Sequence, residues 1–136
     1  MSNTISPLPE AAQDRKNIPL AAGCFDYFPA ALAAVAELSR VANEQHNPGQ
    51  PMHWARGKSA DHIDCLLRHL VDRGSRDTDG VLHDTKVAWR ALANLQVLLE
   101  ELGAPMARGA TVRSAESCAK THDDCDCMRC TVQLDS

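Results

Sequence analysis

Two aspartates three positions apart are the residues of this sequence best suited to metal chemistry. Asp61 and Asp64 lie in a segment that is predicted to begin a helix. Side chains three apart on a helix lie on one face, so the two carboxylates can share a hard cation such as Mg²⁺ or Mn²⁺. A simpler explanation stays open, because acidic residues are common in the first turn of a helix, where the helix dipole stabilises them.

A second acidic face supports the metal hypothesis. Glu37 and Glu44 share one side of the preceding predicted helix. If the two helices pack antiparallel, four carboxylates converge, and such a cluster needs cations to neutralise its charge. We therefore predict that Glu37, Glu44, Asp61 and Asp64 bind metal. Of these, Glu37, Asp61 and Asp64 are predicted to be catalytic, through a metal-bound water of lowered pKa.

Three predicted helices must position these carboxylates. They span residues 29–46, 60–73 and 81–102, and each carries an apolar stripe at helical spacing. Ser59 is the predicted N-cap of the second helix, and Gly74 and Gly103 are the predicted stops of the second and third. The predicted core stripes are Ala31, Val35, Leu38 and Ala42; then Ile63, Leu66, Leu67 and Leu70; then Val81, Ala88, Leu92, Leu95, Leu99 and Leu102.

Composition agrees with an all-α domain. The chain has 136 residues, of which 44% are hydrophobic but only 4% aromatic, a balance that favours packed helices over a sheet. We predict a flexible arm over residues 1–14, a domain over 15–103 and an irregular, Cys-rich appendage over 104–136. A domain this small buries a modest fraction of its surface, which favours self-association as a homodimer or tetramer.

Charge and hydropathy limit the partners. The net charge of −4 argues against a general nucleic-acid binder, which usually has a basic face. No apolar run approaches the roughly 20 residues of a membrane span. The polar N-terminus lacks the apolar core of a secretory signal, so the expected location is the cytoplasm.

Several segments resemble the all-α nucleotide pyrophosphohydrolases of the MazG type. The segment Asp61-His62-Ile63-Asp64-Cys65-Leu66-Leu67 stands where that family has its second acidic motif. More narrowly, residues 15–20, 53–57, 64–70 and 91–95 resemble the phage dATP/dGTP diphosphohydrolase family. Within it, they are most similar to the MazZ-like (d)GTP pyrophosphohydrolases of phages that replace adenine with 2-aminoadenine. The first helix departs from the MazG pattern, because it has only Glu37 and Glu44 in place of a tight run of glutamates.

The resemblance implies a MazG-like helical bundle that is completed by oligomerisation. The implied reaction is metal-assisted hydrolysis of a purine (deoxy)nucleoside triphosphate, dGTP or GTP first, to the monophosphate and pyrophosphate. Basic side chains would then clamp the phosphates, Trp54 would stack on the base, and Asn17 would contact its edge. Two simpler explanations stay open: a basic residue is often a solvated surface charge, and a loop tryptophan is as often a packing anchor. The candidate phosphate ligands are Lys16, Arg56, Lys58 and Arg68.

Two alternatives rest on histidine and cysteine. The dipeptide His83-Asp84 is a weak signal for an HD-type phosphohydrolase, and His69 is expected to be structural or to contact phosphate. The tail holds Cys118, Cys125, Cys127 and Cys130, enough soft ligands for one Zn²⁺, although free thiols explain them as well. A non-catalytic metal-binding regulator or adaptor that uses this tail is therefore the rival from another class.

Overall fold

A computed structural model of the chain describes residues 6–111, which form a mostly helical domain. The all-α prediction is confirmed. Two very short strands pair in parallel, with Trp54 opposite Ala110 and Ala55 opposite Thr111. The elements in chain order are α1 (Ala12–Lys16), a π-helical turn (Ala21–Phe25), α2 (Pro29–His46), β1 (Trp54–Ala55), a 3-10 turn (Arg56–Lys58), α3 (His62–Val71), α4 (His83–Glu101) and β2 (Ala110–Thr111).

Helix α2 has the bounds that were predicted for it. Pro29 occupies the first turn, where its missing N–H is no loss, and the helix ends just before Pro48. Near this end Asn43 is buried, and its Nδ2 donates to the carbonyl of Gln50 at 3.0 Å. Its Oδ1 accepts from Asn47 Nδ2 at 3.2 Å. Asn43 therefore fastens the turn that leads to β1 onto the helix.

Helix α3 buries a polar stripe instead of the predicted apolar one. His62, Cys65 and His69, at i, i+3 and i+7, are its buried residues, whereas Ile63, Leu67 and Leu70 are exposed. The predicted core stripe is therefore wrong for the single chain. The physical reason is that the polar side chains find hydrogen-bond partners on α4, which removes most of the cost of burying them.

The start of α3 also differs from the prediction. The N-cap position is Asp61, not Ser59, and its side chain makes no capping hydrogen bond. The Ser59 hydroxyl instead accepts from Arg90 Nη1 at 3.0 Å, so it joins the loop before α3 to α4.

Helix α4 packs against α3 through a face that buries two cationic side chains and one alanine. Lys86, Arg90 and Ala93, at i, i+4 and i+7, are its buried residues. The leucines predicted to form its core, Leu92, Leu95, Leu99 and Leu102, are 44 to 73% exposed. Gly103 follows the helix with a φ of 118°, a conformation that suits glycine, and so acts as the predicted stop.

The chain returns to the domain after α4. The amide of Ala107 donates to Glu100 Oε2 at 2.9 Å, and the amide of Trp54 donates to the carbonyl of Gly109 at 2.7 Å. Residues 104–111, predicted as part of the appendage, thus pack with the helices. At the other end, α1 includes residues 12–14 of the predicted flexible arm. The tail cysteines Cys118, Cys125, Cys127 and Cys130 lie outside the described residues.

Within residues 6–111, no single helix is both long and apolar enough to cross a bilayer. The segments Ala12–Phe25 and Pro29–His46 meet the length and composition limits only when taken together, and the pair is bent by 86°.

Candidate functional site

A cavity of about 260 Å³ lies between α2, the segment 52–59 and α4. We call it the tryptophan cavity, because both tryptophans of the chain line it. Most of the surface that lines it is apolar, although polar and cationic residues contribute to its walls as well. Those used below are Trp54, Trp89, His62, Arg90, Lys58 and Ser59.

The three aromatic rings form one connected wall. The Trp54 and Trp89 ring centroids are 5.5 Å apart at an interplanar angle of 70°, an edge-to-face contact. The His62 ring lies 6.2 Å from Trp54 and 6.5 Å from Trp89. Trp89 Nε1 donates to the Ser39 hydroxyl of α2 at 2.8 Å, which fixes the orientation of the indole.

An ion pair behind Trp54 holds its other side. The Arg56 guanidinium lies 4.0 Å over the Trp54 ring, and its two terminal nitrogens each donate to a Glu100 oxygen at 2.7 Å. Both side chains are largely buried. The hydrogen bonds from Arg56 are the main cause that lowers the pKa of Glu100 to about 2. Arg56, predicted to clamp phosphates, is therefore held in a bidentate contact that positions Trp54.

His62 and Arg90 bring a neutral imidazole and a cation to the cavity wall. Arg90 Nη1 lies 2.9 Å from His62 Nδ1. Because a guanidinium can only donate, His62 Nδ1 accepts and the ring proton is on Nε2. Burial, followed by the charge of Arg90, lowers the pKa of His62 to about 4, so the ring is neutral at pH 7.

The four carboxylates predicted to bind metal do not come together within the single chain. Asp61 is half exposed and its Oδ2 accepts from Arg68 Nη2 at 3.3 Å, while Asp64 is exposed in the first turn of α3. Glu37 and Glu44 both pair with Arg40, at 3.9 and 3.1 Å. Within residues 6–111, the group of three His, Cys, Asp or Glu side chains close enough to hold an ion is His69, Asp77 and His83.

Of the other residues predicted to bind substrate, some line the tryptophan cavity and some do not. Trp54 and Lys58 line the tryptophan cavity. Lys16 and Asn17 lie at the exposed C-terminal end of α1 and do not line it. Of the His83-Asp84 dipeptide, His83 belongs to the group of three, whereas the Asp84 Oδ1 accepts from the amide of Gly74 at 2.6 Å.

The sequence interpretation missed His62, Trp89 and Arg90. A signal for two of them existed: His62, Cys65 and His69 share one helix face, as do Lys86 and Arg90 on the next helix. Two polar stripes at helical spacing are typical of helices that pack through hydrogen bonds. Trp89 carried no such signal, because a tryptophan within an apolar helix is usually a core residue.

Comparison with protein-family models, curated proteins and solved structures finds no match to this chain. Support for a function therefore comes from the chemistry of the site. The tryptophan cavity combines flat aromatic surface with fixed cations, and Asp61 directly precedes His62 of its wall. Such a lining can accommodate a ligand that has both a planar ring and an anionic group.

Proposed function

We propose that this protein is a metal-dependent hydrolase of a purine (deoxy)nucleoside triphosphate, dGTP or GTP first, which releases the monophosphate and pyrophosphate. The observation that carries the proposal is the tryptophan cavity, whose wall joins Trp54 and Trp89 to Arg90 and Lys58. A nucleotide needs both kinds of surface, one for its base and one for its phosphates. The similarity of residues 53–57 and 64–70 to nucleotide pyrophosphohydrolases adds support, and the choice of guanine rests on that similarity.

The size of the cavity suggests which part of the nucleotide enters it. Its volume of about 260 Å³ is just below the roughly 300–1,000 Å³ of sites that bury a drug-sized ligand. We therefore place the base inside and the triphosphate at the mouth. Lys58 and Ser59 belong to the loop that leads from the cavity to the N-terminus of α3. That N-terminus carries Asp61 and Asp64.

In this proposal Asp61 and Asp64 hold Mg²⁺ or Mn²⁺ together with phosphate oxygens, the usual ligands of these ions. Asp61 is available for that role, because its contact with Arg68 is solvent-exposed and such pairs contribute only about 0–1 kcal/mol. Arg68 then turns to the phosphates. The metal supplies a nucleophilic water and screens the triphosphate charge.

The proposed working form is an oligomer with a MazG-like bundle. Within residues 6–111 the buried hydrophobic residues are Leu38, Ala55, Cys65 and Ala93, which is a small core. The outward faces of α3 and α4 meanwhile expose leucines such as Leu67 and Leu95. Soluble proteins seldom leave large apolar patches uncovered, so a second copy of the chain is proposed to cover these faces. Glu37 and Glu44 would join the metal site in that assembly.

A non-catalytic nucleotide-binding regulator is the second candidate. It is favoured by the dispersal of the four carboxylates in the single chain and by the engagement of Arg56 with Glu100. Such a protein would bind a purine nucleotide in the same cavity without hydrolysing it.

The two candidates are separated by measuring pyrophosphate release and nucleotide binding on the same preparation. Purified protein is mixed with dGTP, GTP, dATP, dCTP or dUTP in the presence of Mg²⁺ or Mn²⁺. Turnover of a purine triphosphate, lost in Asp64→Asn and kept in the exposed control Asp72→Asn, supports the hydrolase. Tight binding without turnover supports the regulator. If purine nucleotides neither bind nor react, both proposals are wrong.

A further inference from the structure

The connection between α3 and α4 brings together three side chains that could bind a metal. His69 comes from the last turn of α3, Asp77 from the connecting loop and His83 from the start of α4. One ligand atom from each lies within 4.8 Å of the others. We call these three residues the His-Asp-His cluster. It is separate from Asp61 and Asp64, and nothing in the proposed nucleotide hydrolysis depends on it.

The three side chains of the cluster are largely buried, so leaving any of them without a polar partner would be energetically costly. The side chains of Asp77 and His83 are 7 and 11% exposed, and His69 is buried. Side chains buried to this degree need hydrogen-bond or metal partners, because the loss of their solvation is otherwise uncompensated.

The spacing of the ligand atoms is close to that of a metal site. His69 Nδ1 and His83 Nδ1 are 2.9 Å apart, and His83 Nδ1 is 3.8 Å from Asp77 Oδ2. Two nitrogens at about 2.0–2.1 Å from one tetrahedral Zn²⁺ lie about 3.3 Å from each other. For these two pairs, movements of a few tenths of an ångström reach that spacing, and the atoms of His69 and Asp77 lie within 4.8 Å of each other. Without a metal, one of the two Nδ1 atoms is protonated and donates a hydrogen bond to the other. When both rings carry the proton on Nε2, both Nδ1 atoms are free to bind a metal.

The loop that carries Asp77 is closed on itself by hydrogen bonds. The Asp77 amide donates to the Val81 carbonyl at 2.8 Å, and the Gly80 amide donates to the Asp77 carbonyl at 2.9 Å. Gly80 has a φ of 85°, which this turn requires and which suits glycine. The His83 amide donates to the Ser75 carbonyl at 3.0 Å. The loop thus presents the carboxylate at a fixed place between the two helices.

The charged side chains around the cluster carry a net negative charge. Lys86 Nζ donates to Asp77 Oδ2 and to Asp79 Oδ2, both at 2.9 Å. One ammonium thus serves two carboxylates in a poorly solvated place. A carboxylate oxygen has two lone pairs, so Asp77 Oδ2 can accept from Lys86 and still ligate a metal. The ammonium and the two carboxylates sum to a charge of −1, which favours a cation at this place.

We infer that the His-Asp-His cluster is a transition-metal site, for Zn²⁺ first, which ties α3 to α4 through the loop between them. Two imidazoles and one carboxylate form a ligand set that suits Zn²⁺ and neighbouring first-row metals, whereas Mg²⁺ prefers oxygen ligands alone. The bound metal holds the two helices whose polar stripes build the wall of the tryptophan cavity.

The test uses the full-length chain, stripped with a chelator and titrated with Co²⁺, a spectroscopically visible substitute for Zn²⁺. Because thiols also bind such ions, the titration is repeated in the tail variant Cys125→Ser/Cys127→Ser/Cys130→Ser. We expect this variant to keep one Co²⁺ equivalent with the spectrum of nitrogen and oxygen ligands, and Zn²⁺ to displace it. Adding Asp77→Asn should abolish that equivalent, while the neighbouring control Asp84→Asn should keep it.

Thermal unfolding gives a second readout. Zn²⁺ should raise the melting temperature of the tail variant by several degrees, and Asp77→Asn should remove that rise. If Asp77→Asn does not fold, ¹¹³Cd NMR of the tail variant decides: a resonance typical of nitrogen and oxygen ligands supports the site. A tail variant that binds neither Co²⁺ nor Cd²⁺ overturns the inference, and it does so whether or not the protein hydrolyses nucleotides.

Discussion

His62 of α3 and Arg90 of α4 contact each other in the wall of the tryptophan cavity, with His62 Nδ1 2.9 Å from Arg90 Nη1. The same Arg90 nitrogen donates to Ser59 at 3.0 Å. A loop, the start of one helix and the middle of the next are thus joined at one guanidinium. This arrangement places a fixed positive charge beside two tryptophans, and it makes the stability of the fold depend on neutral histidine.

Acidification should destabilise the protein well before its carboxylates are protonated. The pKa values of His62 and His69 fall from 6.5 to about 4 on folding, so the unfolded chain binds more protons between these values. Their stabilising contribution is complete above pH 6.5 and is lost as the pH falls towards 4. Each should cost about 2 kcal/mol between pH 7.5 and pH 5.

Urea unfolding at the two pH values measures this loss. The variant His62→Gln should flatten the dependence of the unfolding free energy on pH. The control His53→Gln changes a half-buried histidine on the loop before β1 and should keep the steep dependence of the wild type. A free energy of unfolding that is the same at pH 7.5 and pH 5 would contradict the neutral, buried state of both histidines.

Breaking the ion pair behind Trp54 should destabilise the fold strongly. Glu100→Gln leaves the Arg56 cation largely buried without its carboxylate, and losing one partner of a buried pair costs about 3–5 kcal/mol. The exposed neighbour Glu101→Gln should cost less than about 0.5 kcal/mol. Urea unfolding at neutral pH compares the two. Equal effects would show that Arg56 does not depend on Glu100, which would leave it available as a phosphate ligand.

Purine nucleotides should change the intrinsic fluorescence of the protein. The chain has two tryptophans and both line the cavity, so a base that enters it contacts every indole present. We expect saturable quenching by dGTP, and a several-fold weaker apparent affinity in Lys58→Gln for the triphosphate but not for the nucleoside. Trp54→Phe and Trp89→Phe should each retain part of the signal. If Lys58→Gln binds the triphosphate with the same apparent affinity as the wild type, the phosphates do not contact Lys58.

Charge on the outward leucines should disperse the proposed oligomer. Leu67 and Leu95 are 50 and 49% exposed in the single chain. If a second copy covers them, a buried glutamate at either position carries a desolvation cost that the interface cannot offset. Light scattering should show a dimer or tetramer for the wild type and for Gln45→Glu, which adds the same charge to an exposed position on α2. Leu67→Glu and Leu95→Glu should be monomers. A monomeric wild type would refute the oligomer.

Prediction from the sequence succeeded where local signals are strong. Pro29 at the start and Pro48 after the end set the bounds of α2, and Gly103 ends α4, because proline and glycine act through their own backbone preferences. It failed for the faces of α3 and α4. Hydrophobic periodicity identifies the apolar face of a helix, but whether that face meets the same chain or another one is decided by tertiary and quaternary packing.

The candidate site shows the same division. Trp54 and Lys58 were identified from the loop they share, and both line the cavity. Arg56 lies between them in sequence, yet its partner Glu100 is 44 residues away and no local pattern reveals it. Arg90 was missed because an arginine within a helix is usually on the surface. Its spacing to Lys86 hinted at a polar packing face, but its partners Ser59 and His62 lie 31 and 28 residues away on other elements.

The most direct test of the central claim follows tryptophan fluorescence and pyrophosphate release together as dGTP is added with Mn²⁺. The wild type should show saturable quenching and release pyrophosphate, with both signals depending on dGTP over the same concentration range. In Asp64→Asn the quenching should persist, while the rate of pyrophosphate release should fall at least a hundredfold. In Asp72→Asn both signals should persist. If the wild type releases no pyrophosphate from any purine triphosphate with either metal, the hydrolase account is contradicted.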